Sequence, residues 1–275
     1  MTIRTLVAAL SLAAALPAGA DGTAAGPRVL AMLPPQADLV RRIASPPARV
    51  ESLVPHGAFP HTFEPTPHQL TRLDGVRLVV ASGLPFEERL LDRIRAVAGE
   101  RVAVVPPPPD APPHFWVDPE AALAQARLVA RALIAIDPEH RAAYESGLER
   151  VTGTLGTLES RIRGMLAPCR GGVVVTMHGA LAPFLHRFGL EQLAIESEGK
   201  EPGPRLLAEV IEAARATGAR AVLVEPQAGR RAAEAVATAI GARVLLADPL
   251  FSDYPRGLSA LAESVAVACG AKAAP

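Results

Sequence analysis

Short β-branched runs alternate with helical patterns from residue 28 onward, a rhythm that predicts βα units and a parallel sheet. Strands are predicted over residues 28–32, 50–54, 76–81 and 101–105, and again over 172–176, 192–195, 220–224 and 243–246. Helical spacing falls between them, at 36–43, 85–97, 204–216 and 230–240. Four strands in each half predict an α/β protein of two lobes, each a roughly four-stranded parallel sheet with flanking helices. Between the halves, Leu148, Val151, Leu155, Leu158, Ile162 and Met165 recur at three- and four-residue spacing, with Asp137-Pro138 as the start signal of a helix. A helix of roughly 28 residues spans about 42 Å, enough to run the length of both lobes as a rigid strut. Gly153 and Gly156 are where it would break, each costing up to ~1 kcal/mol relative to Ala.

This pattern divides the chain into residues 1–20, an N-terminal lobe 21–136, the interlobe helix 137–166 and a C-terminal lobe 167–275. The first twenty residues carry Arg4, an apolar run from Leu6 to Leu16 and small residues at Ala18-Gly19-Ala20, which together read as a cleaved secretory signal peptide. No Cys follows that segment closely, so the expectation is a free protein in a periplasm and not a lipid-anchored one. Such a compartment permits disulfides. Cys169 and Cys269 form the one possible pair, both fall in the C-terminal half, and they are expected to join; two buried thiols are the alternative.

Composition removes several function classes. The 275 residues are 49% hydrophobic, ample for buried cores, and 28 Lys+Arg balance 28 Asp+Glu, so no net charge draws the chain to nucleic acid. Aromatics are 4% with a single Trp, too few for base- or sugar-stacking platforms.

Seven histidines remain to be sorted. His140 and His186 lie on polar helical turns, and His56 and His68 sit in a loop and an early helical turn, settings typical of solvated residues. His61, His114 and His178 differ, because each falls just past a predicted strand or at the mouth of a helix, and Asp248 is placed likewise after residues 243–247. In open parallel sheets ligands collect beyond the carboxyl ends of strands, so these positions can converge in the cleft between lobes. Three imidazoles and one carboxylate make a tetrahedral set suited to Zn²⁺. Such a closed set favours capture over hydrolysis, which needs an open position for water. Glu225 and water compete with Asp248 for the fourth position. Protonation should compete with the metal, and imidazoles of ordinary pKa near 6.5 would release it as the pH drops toward 5.

The runs MLPPQADLVRRI from Met32, PHGAFPHTFEPTP from Pro55, ASGLPFEERL from Ala81, HFWVDP from His114, TMHGALAPFLHRFGL from Thr176, GKEPGPRLL from Gly199, VEPQ from Val224 and ADPL from Ala247 occur in that order. Together they resemble the zinc-uptake (ZnuA-like) and metal-binding lipoprotein family of solute-binding proteins of ABC transporters. The resemblance covers essentially the whole chain after residue 20. It implies two lobes joined by one long helix and a transition metal held between them. It also implies His61, His114 and His178 as the first three ligands and Asp248 as the carboxylate, with a membrane permease as partner. Manganese-type members usually carry Glu at the third position, so His178 points to zinc. Two departures stand out: the stretch before His114 is proline-rich, Pro106 to Pro113, where many zinc members carry a His- and acid-rich loop, and Phe59 replaces a usual Asp.

The expected role is therefore a monomeric periplasmic carrier and not an enzyme, with manganese or iron as alternative cargo and a periplasmic zinc chaperone as an alternative role or partner. A zinc hydrolase would use the same histidines with Glu64 or Glu225 as general base.

Overall fold

The computed structural model describes residues 26–44, 46–71, 73–99, 101–196 and 202–270. The segment read as a signal peptide, residues 1–20, and the start of the GKEPGPRLL run lie outside the described residues. One sheet comprises β1 (Arg28–Ala31), β2 (Arg49–Ser52), β3 (Val76–Val80) and β4 (Ala103–Val105), in the order β2-β1-β3-β4. The second comprises β5 (Val173–Thr176), β6 (Glu191–Ala194), β7 (Ala221–Val224) and β8 (Arg243–Leu246), in the equivalent order β6-β5-β7-β8. Every pairing is parallel. The α/β, two-sheet expectation therefore holds, with strand ends displaced by one or two residues.

Helices cover the sheets: α1 (Pro34–Ala44), α2 (Pro67–Thr71), α3 (Glu87–Ala98) and α4 (Pro119–Ile136) in the first half, and α6 (Ala182–Arg187), α7 (Pro204–Thr217), α8 (Arg231–Ile240) and α9 (Tyr254–Ala268) in the second. Between them α5 (Arg141–Leu166) runs 26 residues, about 39 Å, and joins the lobes. It begins later than the sequence suggested. Asp137 closes α4, Pro138–His140 forms a 3₁₀ turn, and the Asp137 carboxylate accepts hydrogen bonds from Tyr144 Oη (2.5 Å) and His140 Nδ1 (2.9 Å) instead of capping the helix.

α5 runs unbroken through Gly153 and Gly156, and a side chain at either position would meet open space. Gly147 is the glycine that matters: a Cβ at this position would lie 2.0 Å from the backbone oxygen of Ile43, so α1 and α5 touch backbone to backbone. Val151, Leu155, Leu158 and Ile162 of the predicted stripe are buried in a core that continues into both lobes. A smaller core, including Val175, Val210, Val222 and Val236, fills the other face of the second sheet. Cys169 and Cys269 are joined as a disulfide with Cα atoms 5.8 Å apart, tying the end of α9 to the turn after α5.

Candidate metal centre

The carboxyl ends of the two sheets face a common cleft. His61 lies in a 3₁₀ turn, Pro60–Thr62, started by Pro60 beyond β2. His114 follows β4 and takes the left-handed conformation, φ 61° and ψ 23°, before the 3₁₀ turn Phe115–Val117. Positive φ is uncommon in residues other than glycine and concentrates at functional positions, where it aims a side chain. His178 comes two residues after β5. Its backbone oxygen accepts from Thr176 Oγ1 (2.8 Å) and Gln192 Nε2 (2.7 Å), which fixes the turn.

These three imidazoles meet. His61 Nε2 is 3.3 Å from His114 Nε2, and His178 Nε2 is 3.4 Å from the same atom. Among the described residues they form the one group of three or more metal-ligating side chains whose ligand atoms all lie within 4.8 Å of one another. Tetrahedral zinc–nitrogen bonds of about 2.0–2.1 Å imply nitrogen separations of about 3.3 Å along each edge, and the two edges that meet at His114 match that length. The cavity at this point has a volume of only about 20 Å³, walled by Phe59, Leu84, Trp116 and Leu250. That accommodates an ion or a water and excludes an organic ligand.

Desolvation by this apolar wall is the main cause that lowers the pKa of all three imidazoles. His114 falls to about 3, with repulsion from His178 and His61 adding to burial. His61 is lowered by burial and then by His178, against a raising influence from Glu196. His178 is lowered by burial alone. The rings are thus neutral at neutral pH, the state that binds a metal.

Glu196 escaped the sequence reading. Its Oε1 lies 2.6 Å from His178 Nδ1, with both side chains nearly sealed from solvent. The contact lacks hydrogen-bond alignment, but a carboxylate on this side of the ring favours the Nδ1–H tautomer and so leaves the lone pair on Nε2, the atom that faces the other rings. The strand register carried the signal: Thr176 pairs with Ala194, so His178 and Glu196 both stand two residues past adjacent parallel strands.

Asp248 stands outside the three-histidine group. Its Oδ1 accepts from the amide of Leu250 (2.8 Å) and from Gln227 Nε2 (3.3 Å), and its Oδ2 is 3.3 Å from His56 Nε2. His56, read from sequence as a solvated loop residue, thus reaches across to the second lobe. Glu225 lines the small cavity and is buried, which pushes its carboxyl up to about 8. The remaining histidines are elsewhere: His68 is exposed on α2, His140 holds Asp137, and His186 faces Glu191 at 3.4 Å.

The sequence profile of the family described as "Zinc-uptake complex component A periplasmic" matches residues 29–266. The chain belongs to the ZnuA family. Across 249 residues it is 25% identical to a putative metal-binding protein of Chlamydia muridarum, covering 87% of this chain and 90% of that one. Across 232 residues it is 26% identical to the iron-binding protein YfeA of Yersinia pestis, covering 78% and 75%. A crystal structure of ZnuA superposes with a TM-score of 0.84 at 30% identity, over 89% of this chain and all of that one. A ZnuA deletion mutant with zinc bound has the same score and identity, over 90% and 99%. The family and fold are those of metal-binding solute-binding proteins of ABC transporters. Among the described residues no helix is long and apolar enough to cross a membrane.

Proposed function

We propose that this protein captures one zinc ion in the periplasm and delivers it to the permease of a metal ABC transporter. The observation that carries the reading is the triangle of imidazole nitrogens, 3.3 and 3.4 Å on two edges, drawn from both lobes and kept neutral by burial. A ligand set of nitrogen donors suits zinc better than manganese, which prefers oxygen. The zinc-bound ZnuA relative supports the same cargo, and the iron-binding Yersinia relative makes iron the competitor to test.

His61, His114 and His178 are the proposed ligands, with Asp248 as the carboxylate. Three neutral imidazoles leave the ion's +2 charge uncompensated in a partly desolvated cleft, and one carboxylate halves it. Asp248 is supported by its position past β8, beside the cavity-lining Pro249 and Leu250. Four protein ligands close the site, which favours a carrier over a hydrolase. In this reading residues 21–136 and 167–275 are the lobes, 137–166 the strut between them, and a monomer carries one ion.

Elemental analysis of dialysed protein should return one zinc per chain, retained against excess iron and manganese. Replacing any of the three histidines with Ala should weaken zinc binding by orders of magnitude, while His140→Ala should leave it unchanged. Asp248→Asn should weaken it more than Glu225→Gln; the reverse order would transfer the ligand role to Glu225.

A further inference from the structure

His61 is shared by two cavities. On one side it closes the 20 Å³ metal cavity, and on the other it ends an open groove of about 410 Å³ whose lining includes Glu64, Pro65, Phe86, Arg89 and Arg93. The groove is of a size that holds a small organic molecule. Arg89 and Arg93 lie four residues apart on α3, hence on one helix face, and both are exposed. Among the described residues neither guanidinium has a carboxylate partner, whereas Arg95 of the same helix pairs with Asp92 at 3.4 Å. Against these two cations the groove sets one anion, Glu64, so its lining carries excess positive charge.

A positive groove repels a bare divalent cation and attracts an anionic complex of one. Guanidinium forks match carboxylates in geometry and charge. The histidines grade inward from this side: His61 is exposed, His114 half-buried and His178 buried. The segment before His114, Pro106 to Pro113, offers one acid, Asp110, and no histidine to recruit metal.

We propose that this groove docks a small polycarboxylate chelate of the transported metal and passes its ion to His61. The proposal rests on the zinc-capture reading. Transfer is ligand exchange without redox: zinc–oxygen bonds to the chelate break as zinc–nitrogen bonds to His61, then His114 and His178, form, and the polycarboxylate leaves as the free anion.

The test compares loading of the mature chain from zinc citrate with loading from aquated zinc. Trp116, the sole tryptophan, has its ring 5.3 Å from that of His114 and serves as the optical reporter, with zinc counted in rapidly desalted samples as a second readout. The double variant Arg89→Ala/Arg93→Ala should load from zinc citrate about tenfold more slowly, and the wild-type advantage should shrink in high salt. Its loading from aquated zinc should be no slower and, with the repulsion relieved, modestly faster, while its equilibrium zinc affinity should be unchanged; Arg95→Ala should alter neither rate. Equal citrate-dependent rates in the double variant and the wild type would overturn the proposal. So would an equal slowing with aquated zinc, which would mean a damaged metal site. Wild-type protein that takes zinc from neither source would instead overturn the carrier reading beneath it.

Discussion

The Nδ1 atom of His178 lies 2.6 Å from Oε1 of Glu196, inside a pocket that leaves 9% of one side chain and 7% of the other exposed. A carboxylate behind a ligating imidazole fixes its orientation and raises its basicity, and loss of such a partner typically costs 10–100-fold in metal affinity. Glu196→Gln should therefore weaken zinc by about that factor, with His178 still present. Glu196→Asp, which keeps the charge, should recover part of the loss. Calorimetric titration checks both, and wild-type affinity in Glu196→Gln would remove the positioning role.

The lowered histidine pKa values and the raised Glu225 pKa act on stability in opposite directions. Below about 6.5 the unfolded chain's histidines bind protons that the buried ones refuse, so metal-free protein loses stability as pH falls through 6.5 toward the value of about 3 held by His114. Glu225 is raised from 4.5 to about 8, so between those values the folded state binds a proton that the unfolded state lacks. Its contribution to stability therefore grows as pH falls through about 8 and on toward 4.5. Urea denaturation of metal-free protein should show a maximum at about pH 6.5, and Glu225→Gln should flatten the alkaline side and steepen the acid side down to about 4.5, where Glu225 otherwise offsets part of the histidine loss. The same depression moves proton competition for the metal lower than ordinary imidazoles would place it. Zinc affinity should stay level to below about pH 6.5 before it falls, later than the sequence alone implied.

Most strands were legible because β-branched residues in short segments bounded by Gly and Pro leave little else for the backbone to do, whereas β6, Glu-Gln-Leu-Ala, carries no β-branched residue and was legible from its place in the βα alternation. His61, His114, His178 and Asp248 were legible as residues past strand ends that can converge, and the three imidazoles do meet, but that Asp248 stands outside their group was not legible. His56 joins Asp248 across the cleft, and no local pattern encodes a contact between residues so far apart in sequence. The start of α5 was misplaced because Asp137-Pro138 carries a helix-start signature that a 3₁₀ turn satisfies equally well. The same signature at Asp118-Pro119 does open a helix, α4, where Asp118 accepts a hydrogen bond from the amide of Glu120 at 2.9 Å. Gly147 was invisible for a different reason: its role comes from the approach of α1, which no property of α5 announces.

Glycine substitutions in α5 should separate those two kinds of position. Gly153→Ala enters open space and should stabilise the protein by up to ~1 kcal/mol through helix propensity. Gly147→Ala puts a methyl 2.0 Å from the Ile43 oxygen and must part α1 from α5, an overpacking cost of about 1–3 kcal/mol or more. Chemical denaturation of the two variants should shift the midpoint in opposite directions. A neutral Gly147→Ala would mean that α1 and α5 can slide apart freely.

Opening of the cleft should be small. Besides α5, the lobes share a belt of bonds: Trp116 Nε1 donates to the Pro249 oxygen at 2.9 Å, and Tyr254 Oη donates to the Trp116 oxygen at 2.6 Å. The Arg187 guanidinium grips both oxygens of Asp118 at 2.9 and 3.1 Å, and the Tyr254 amide donates to Asp38 Oδ2 at 2.8 Å. Neutral hydrogen bonds contribute about 1 kcal/mol each and charged ones about 1.5–3, so a wide hinge that broke them all would cost several kcal/mol and be sparsely populated. Metal entry and exit must then use local movement of the His61 and Asp248 loops. Solution scattering of the metal-free and zinc-loaded protein should give superimposable curves. Arg187→Ala, which removes the strongest cross-lobe grip without touching a proposed ligand, should speed zinc release while leaving the histidine geometry intact. A large compaction of the wild type on zinc binding would show that the belt opens and that α5 acts as a hinge.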